Sequence, residues 1–349
     1  MLFPRALDEV TPDWLSAALA GRHPGVRVLT ATQDKVISGM ATKVRLRLTY
    51  NDIGCAAKLP DTMWLKTGFE SHSERSALLY AAEVNFFREI APLVAANLPA
   101  TYFEAIDPAT GNGVLLLEDL EQRGVRFGHP LEPVTPAVAR SLLDILARLH
   151  ALPTTTEPVG QLDWLKPGGA IQAVDVGAEY LGFWETAARQ PRFAFVPESL
   201  RDRARIRSAL KQMEADDRAE PAWLVHGDPH QGNVFFDAAG NGGFLDWQTV
   251  GLGSWAFDVA YFLIMSLTVE DRRAHEKSLL RYYLGRLAAH AGRAPGYDEA
   301  LLAYRRHAIW CFMTVLCPVE RQPEEVCSAN AERTCAALSD LRTLEAFTH

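Results

Sequence analysis

Along residues 43–50 apolar and polar positions alternate without a break, with Val44, Leu46, Leu48 and Tyr50 set against Lys43, Arg45, Arg47 and Thr49. A period of two predicts a half-buried strand. Lys35–Ser38 reads as its hairpin partner across Gly39–Ala41, and Met63–Lys66 as a third strand. Ser73–Ile90 repeats its apolar residues at helical spacing. Gly113–Leu117 is a short apolar run ended by Glu118 and Asp119, the pattern of a buried strand leaving a sheet with an exposed acidic end. Beyond it the period changes. Thr135-Pro136 can cap a helix that carries Val138, Leu142, Ile145, Leu146 and Leu149 on one stripe. Further helices are expected at Ser199–Asp216, Asp258–Leu267, Arg272–His290 and Tyr297–Val315, with short strands in Leu224–Phe236 and Gly243–Trp247. The pattern therefore predicts an α+β chain: a small antiparallel-sheet lobe over residues 1–119 and a larger, mainly helical lobe over 120–349.

Composition narrows the partners. The 349 residues are 48% hydrophobic and 22% charged, enough to build two lobes. A formal charge of -8 leaves no basic footprint for a phosphate backbone, so nucleic acid is not an expected partner. Five scattered cysteines without a C-x-x-C pair argue against a disulfide framework and against a zinc knuckle. The N-terminus carries acids and proline where a secretory signal needs a basic start. The apolar stretches Val259–Met265 and Ala308–Val319 are too short to span a bilayer. A cytoplasmic protein without membrane insertion is expected.

The strongest chemical signal runs from Leu224 to Phe236. His226-Gly227-Asp228 ends an apolar strand, Asn233 follows five residues after Asp228, and Asp246 stands thirteen residues after Asn233. This ordered triple resembles the H-R-D-x-x-x-x-N loop of kinases, with Asp246 where their metal-binding aspartate lies. Phosphoryl transfer needs hard oxygen donors for Mg²⁺, which Asn233 and Asp246 offer, and a carboxylate to take the attacking hydroxyl's proton, which is the role of Asp228. His226–Asp258 holds four Asp and neither Lys nor Arg, an uncompensated cluster that a bound cation would relieve. Taken singly, each of these residues could equally be a turn or cap residue. His226 reads as a brace of the loop, while His230 is left open.

Lys66 ends the strand Met63–Lys66, and Glu83 lies on one helical stripe with Leu79, Phe86 and Ile90. A carboxylate on an apolar stripe needs a partner. Lys66 is the candidate, and a Lys so anchored could contact the α- and β-phosphates of ATP. Ser38-Gly39 would be either a turn covering the phosphates through main-chain N–H groups or a plain hairpin turn. Glu118 and Leu120, in the run Leu115–Leu120, could offer main-chain groups to adenine; a buried strand with an acidic end is the simpler description.

These residues together resemble the aminoglycoside phosphotransferase and choline kinase-like superfamily, and within it the ecdysteroid-kinase-like branch. The likeness rests on H-G-D-x-x-x-x-N at His226–Asn233, L-D-W-Q at Leu245–Gln248 and G-x-x-x-x-D-V-A at Gly253–Ala260, with L-E-D-L at Leu117–Leu120 and the Lys66/Glu83 pair agreeing in order. It implies a protein-kinase-like bilobal fold, Mg-ATP, and transfer of the γ-phosphate to a small-molecule hydroxyl. It also implies that Asp258 braces the catalytic loop, although an ordinary helix-start Asp fits the same position. Gly227 replaces the Arg of H-R-D and no A-P-E segment follows, so a protein substrate is disfavoured. Tyr180, Trp184 and Trp310, with Phe183, Phe312, Met313, Arg305 and Arg306 nearby, are the candidate acceptor-side residues. They favour an apolar, steroid- or terpenoid-like alcohol over an aminoglycoside or other antibiotic, unless they are simply helix-packing residues.

Two rivals differ in class. Gly251-x-Gly253-x-x-Ala256 with Glu270 mimics a dinucleotide fingerprint but lacks the second strand of a βαβ unit. A kinase-shaped binding protein without activity would be expected to have lost a key residue, yet Asp228, Asn233, Asp246 and Lys66 are all present.

Overall fold

The alternation at 43–50 folds as expected. In the computed structural model, which describes residues 3–70, 72–165, 167, 176–219 and 222–347, strand β2 (Thr42–Tyr50) pairs antiparallel with β1 (Val28–Ile37) in a register that sets Val36 opposite Val44 and Ala31 opposite Leu48. With β3 (Thr62–Thr67), β4 (Thr101–Ile106) and β5 (Gly113–Glu118) they form a sheet of order β1-β2-β3-β5-β4, antiparallel throughout. Val44, Leu46 and Leu48 project to one face and join Leu65, Val114 and Leu116 in a core closed by Trp14, Leu15 and Leu19. Those three come from the helix Pro12–Ala20, whose N-terminus is capped by the Thr11 side chain. Thr11-Pro12 repeats the Thr135-Pro136 signal. In β4 every residue is half-buried, so no inside-to-outside contrast marks the strand in the sequence.

Lys66 lies on the face opposite Leu65. There the helix Ser73–Asn85, continued by a π-turn over Phe86–Ile90, buries Leu79, Glu83, Val84 and Phe86. It approaches β5 so closely that a Cβ on Gly113 would stand 2.4 Å from the Tyr80 carbonyl oxygen. Glycine is therefore what lets this helix seat Glu83 over the sheet. These elements belong to a first compact unit, Met1–Pro92 with Leu98–Arg126; a second comprises Leu93–Asn97 and Phe127–His349.

In the second unit, Thr135 accepts the Val138 N–H and starts the helix Pro136–His150, as its sequence predicts. Its central element is the helix Trp255–Ser266, in which every residue except Phe257 is buried. The helices Val269–Ala291, Tyr297–His307 and Glu324–Asp340 pack around it. Two antiparallel pairs of short strands carry the loops of interest: Trp223–Val225 with Gly251–Gly253, and Val234–Phe236 with Gly242–Phe244. Several expectations are corrected. The helix expected over 297–315 ends at His307 and continues as a 3-10 turn, Ala308–Cys311, and a single turn, Phe312–Val315. The helix expected from Ser199 begins at Arg203 and runs to Ala219. Gly251–Gly253 is a paired strand and Glu270 sits in the first turn of a helix, so the dinucleotide-like spacing is not a phosphate-binding turn. The five cysteines are free thiols, four of them buried. No helix among the described residues is long and apolar enough to cross a membrane.

Candidate active site

The loop His226–Asn233 leaves the strand Trp223–Val225 through Gly227, whose φ is +85°. A Cβ there would also lie 2.4 Å from the Thr249 carbonyl oxygen. Backbone conformation and close approach both demand glycine, which explains why the Arg of H-R-D is missing. Asp258, in the first turn of the central helix and wholly buried, fixes the same point from behind. Its carboxylate accepts the main-chain N–H of His226 at 2.6 Å and of Gly227 at 2.9 Å. His150 Nε2 meets the Asp258 carboxylate at 3.0 Å, and His150 Nδ1 meets the Tyr283 hydroxyl at 2.7 Å.

His226 uses both ring nitrogens. Nε2 donates to the Leu245 carbonyl at 3.0 Å and Nδ1 accepts the Asp228 N–H at 3.2 Å, a pattern that requires the neutral ring. Burial pushes its pKa down to about 4. The ring also lies against Trp247 and Phe244, at centroid distances of 4.4 and 5.4 Å. It thus ties the loop to the segment that delivers Asp246.

Asn233 ties the same two segments together. Its Nδ2 donates to the Asp228 carbonyl at 2.9 Å and to Asp228 Oδ2 at 3.0 Å, and its own carbonyl accepts the Leu245 N–H at 2.8 Å. With Nδ2 occupied, Oδ1 is the atom Asn233 can offer elsewhere. Asp246 follows Leu245 with φ 62° and ψ 69°, a left-handed conformation uncommon for a residue other than glycine. Of the four aspartates between His226 and Asp258, two have structural duties. Asp237 holds its turn through the N–H groups of Ala239 and Asn241, and Asp258 holds the loop. The other two are Asp228 and Asp246.

The Asp228 side chain is about two-thirds withdrawn from water, with 32% of its surface exposed. That burial, with a further push from the neighbouring Asp246 charge, raises its pKa to about 6 against the pull of His230, Asn233 and the Tyr261 hydroxyl. His230 Nε2 stands 3.6 Å from Asp228 Oδ2, and its Nδ1 accepts the Gly232 N–H. Asn233 Oδ1 and the Asp246 carboxylate are hard oxygen donors of the kind Mg²⁺ takes, an ion that keeps much of its coordination for phosphates and water.

In the first unit Lys66 Nζ and Glu83 Oε2 pair at 2.6 Å, and Lys66 and Glu83 are 7% and 3% exposed. The Ser38–Gly39 turn is exposed, and helix Ser73–Asn85 anchors its far side: the Met40 carbonyl accepts from Tyr80 and meets His72 Nε2 at 3.3 Å. Gly39 has open space where a Cβ would sit, with only Ala41 O near at 3.9 Å. At the end of β5, Asp119 proves to be buried, against the expected exposed acidic end. It is held by Arg45 at 2.7 Å and Trp64 Nε1 at 3.2 Å. Glu118 binds Ala100 and Arg123, and the Leu120 carbonyl accepts from Arg123 and Val125.

The acceptor-side residues separate. Trp184 packs between Phe193 and Phe312, and Trp310 packs on Phe257. Both are buried, so the structure makes them packing residues. Arg305 and Arg306 bind the carbonyls of Leu341 and Ala346. Tyr180 is half-buried, with the Arg321 guanidinium 5.4 Å from its ring centroid and the Phe183 ring edge-on at 6.3 Å. Sequence reasoning missed His150, Tyr261, Tyr283 and Arg321. For His150 a signal existed, since it continues the stripe Leu142, Leu146 at a spacing of four.

The phosphotransferase enzyme family, APH, matches residues 62–300. A protein of Ralstonia eutropha JMP134, described as a candidate aminoglycoside phosphotransferase, shares the fold at TM-score 0.53 and 14% identity, over 95% of this chain and 98% of that one. LicA, the choline kinase of Streptococcus pneumoniae, solved with AMP, matches at TM-score 0.50 and 14% identity, over 95% and 98% of the two chains. An uncharacterized kinase-like protein of Caenorhabditis elegans is 30% identical over 90 residues, 25% of this chain and 24% of that protein. The match thus spans about a quarter of this curated relative's length.

Proposed function

Because the chain belongs to the phosphotransferase enzyme family, we propose that it is an ATP- and Mg²⁺-dependent small-molecule kinase that transfers the γ-phosphate to a hydroxyl. The observation that carries the reading is the Asp228–Asn233–Asp246 arrangement: three oxygen-bearing side chains locked by Asp258, His226 and the Leu245 main chain. When bound, Mg-ATP supplies the electrophilic γ-phosphoryl group together with a cation that spreads its charge.

The chain's own residues then have separable duties. Asn233 Oδ1 and the Asp246 carboxylate would hold the metal. Asp228 would accept a hydrogen bond from the acceptor hydroxyl and take its proton as the hydroxyl oxygen bonds the γ-phosphorus and the bond from that phosphorus to the ADP oxygen breaks, releasing ADP. A carboxyl with a pKa near 6 suits that exchange close to neutral pH. Asn233 keeps the carboxylate turned toward the acceptor. In the first unit, Glu83 holds Lys66 for the α- and β-phosphates, the Ser38–Gly39 turn covers them, and the main chain of Glu118–Leu120 meets adenine.

For the acceptor we propose an apolar, steroid- or terpenoid-like alcohol, supported by the Tyr261 ring, whose centroid lies 6.1 Å from that of His230, the neighbour of Asp228 at 3.6 Å. The test is incubation with Mg-ATP and pooled sterols, terpenoid alcohols, sugars, amino alcohols and aminoglycosides, with phosphorylated products followed by mass and Asp228→Asn as control. A phosphorylated sterol or terpenoid that is lost in the variant supports the whole reading. A phosphorylated aminoglycoside keeps the mechanism and replaces the acceptor.

A further inference from the structure

His230 follows Asp228 closely in the loop and has no part in holding the metal or taking the proton. Its main chain is bound into the loop at both ends: its N–H reaches the Asp228 carbonyl at 2.9 Å, and its carbonyl accepts the Asn233 N–H at 2.9 Å. The ring is fixed as well. Nδ1 accepts the Gly232 N–H at 2.9 Å. The lack of a side chain at Gly232 allows this, since a Cβ there would stand 2.8 Å from His230 Cε1 and 3.0 Å from Nδ1. Tyr261, on the central helix, backs the ring in an edge-to-face contact with centroids 6.1 Å apart.

A ring that accepts at Nδ1 carries its hydrogen on Nε2. Nε2 stands 3.6 Å from Asp228 Oδ2, the oxygen that also receives Asn233 Nδ2 at 3.0 Å. Both donors therefore address the same carboxylate oxygen. The histidine contact is longer than a hydrogen bond, and contacts of this length around a base tighten once the reacting groups bind. Because Nε2 already holds a hydrogen, His230 can give a hydrogen bond here but cannot take the acceptor's proton. Geometry thus tells the two candidate bases of the loop apart.

We infer that His230 is a positioning residue for phosphoryl transfer: its Nε2–H and the Asn233 amide together hold Asp228 Oδ2, which turns Oδ1 toward the acceptor hydroxyl. This rests on the kinase reading, in which Asp228 is the base.

Two measurements on the full chain test it. In imidazole nitrogen-15 spectra recorded without nucleotide, His230 is expected as the Nε2–H tautomer, with an Nε2 resonance that shifts in Asp228→Asn. The second is phosphate transfer from Mg-ATP to water or to a pooled alcohol by two variants. In His230→Asn the amide oxygen can replace Nδ1 on the Gly232 N–H but no donor faces Asp228; in His230→Gln the amide nitrogen has the reach of Nε2. His230→Asn is expected to lower kcat at least about tenfold, the worth of one hydrogen bond to a charged group, with the KM for Mg-ATP unchanged. His230→Gln is expected to recover most of that loss. A hydrogen on Nδ1, an Nε2 resonance indifferent to Asp228→Asn, wild-type kcat in His230→Asn, or equal losses in the two folded variants overturns the inference. Wild-type kcat in Asp228→Asn, or no phosphate transfer by folded wild type to water or any pooled alcohol, sinks the kinase reading on which the inference depends.

Discussion

Asp258 accepts the main-chain N–H of His226 at 2.6 Å although 32 residues separate the two in sequence. The bond is wholly buried, and the same carboxylate also serves Gly227 and His150. One side chain on the buried helix Trp255–Ser266 therefore fixes the start of the loop that carries Asp228.

Asp258→Ala leaves two buried N–H groups without an acceptor. At the usual cost of an unsatisfied buried donor, the loss of stability is about 3 kcal/mol or more. Urea unfolding checks this. If phosphotransfer is measurable in the variant, kcat is expected to fall with little change in the KM for ATP, because the nucleotide contacts assigned to Lys66 lie in the other unit.

Lys66 and Glu83 separate stability from function. Either one alone, replaced by Ala, strands a buried charge at a cost of about 3–5 kcal/mol. The double variant Lys66→Met/Glu83→Leu removes both charges and is expected to regain most of that stability while still binding Mg-ATP poorly. A double variant that recovered nucleotide affinity would remove Lys66 from the phosphate role.

Gly227→Ala tests the backbone. With φ at +85° and the Thr249 carbonyl 2.4 Å from the new Cβ, the loop must move. A loss of about 2–4 kcal/mol is expected, from backbone strain and overpacking together. Gly39→Ala, with open space at its Cβ, is expected to leave stability within about 0.5 kcal/mol. Equal effects at the two glycines would contradict the loop geometry.

In metal-free protein two groups, buried His226 and half-buried Asp228, set opposite pH dependences. His226 falls from 6.5 to about 4 on folding, so its contribution is complete above pH 6.5 and is lost as pH drops toward 4, on the order of 2–3 kcal/mol. Asp228 rises from 3.8 to about 6, so its contribution is complete below pH 3.8 and is lost as pH rises through 6. The two offset one another across pH 4–6.5. Asp228→Asn removes one side, so its unfolding midpoint in chelator should fall more steeply from pH 7 to 5 than that of wild type. Parallel profiles would contradict the assignment.

The sheet and the long helices were legible because their periodicity is local: Val44, Leu46 and Leu48 face one core, and Thr135 announces its helix. His226, Asp228, Asn233 and Asp246 could be grouped because they sit close together in sequence. What escaped depends on distant partners. His150 reaches Asp258 across 108 residues, and Arg321 reaches Glu179 across 142. No local pattern reports such pairs. Aromatic composition singled out Tyr180, Trp184 and Trp310 alike, and only packing shows that Trp184 and Trp310 are interior. β4 was invisible because its half-buried residues give no alternation.

The most direct test of the central claim is calorimetric titration of Mg-ATP, with and without Mg²⁺, into wild type, Lys66→Met and Asp246→Asn. The account predicts Mg²⁺-dependent binding by wild type and at least about tenfold weaker binding by each variant, the loss of one charge-assisted contact. Absence of nucleotide binding by folded wild type, or binding untouched by both substitutions, would contradict it.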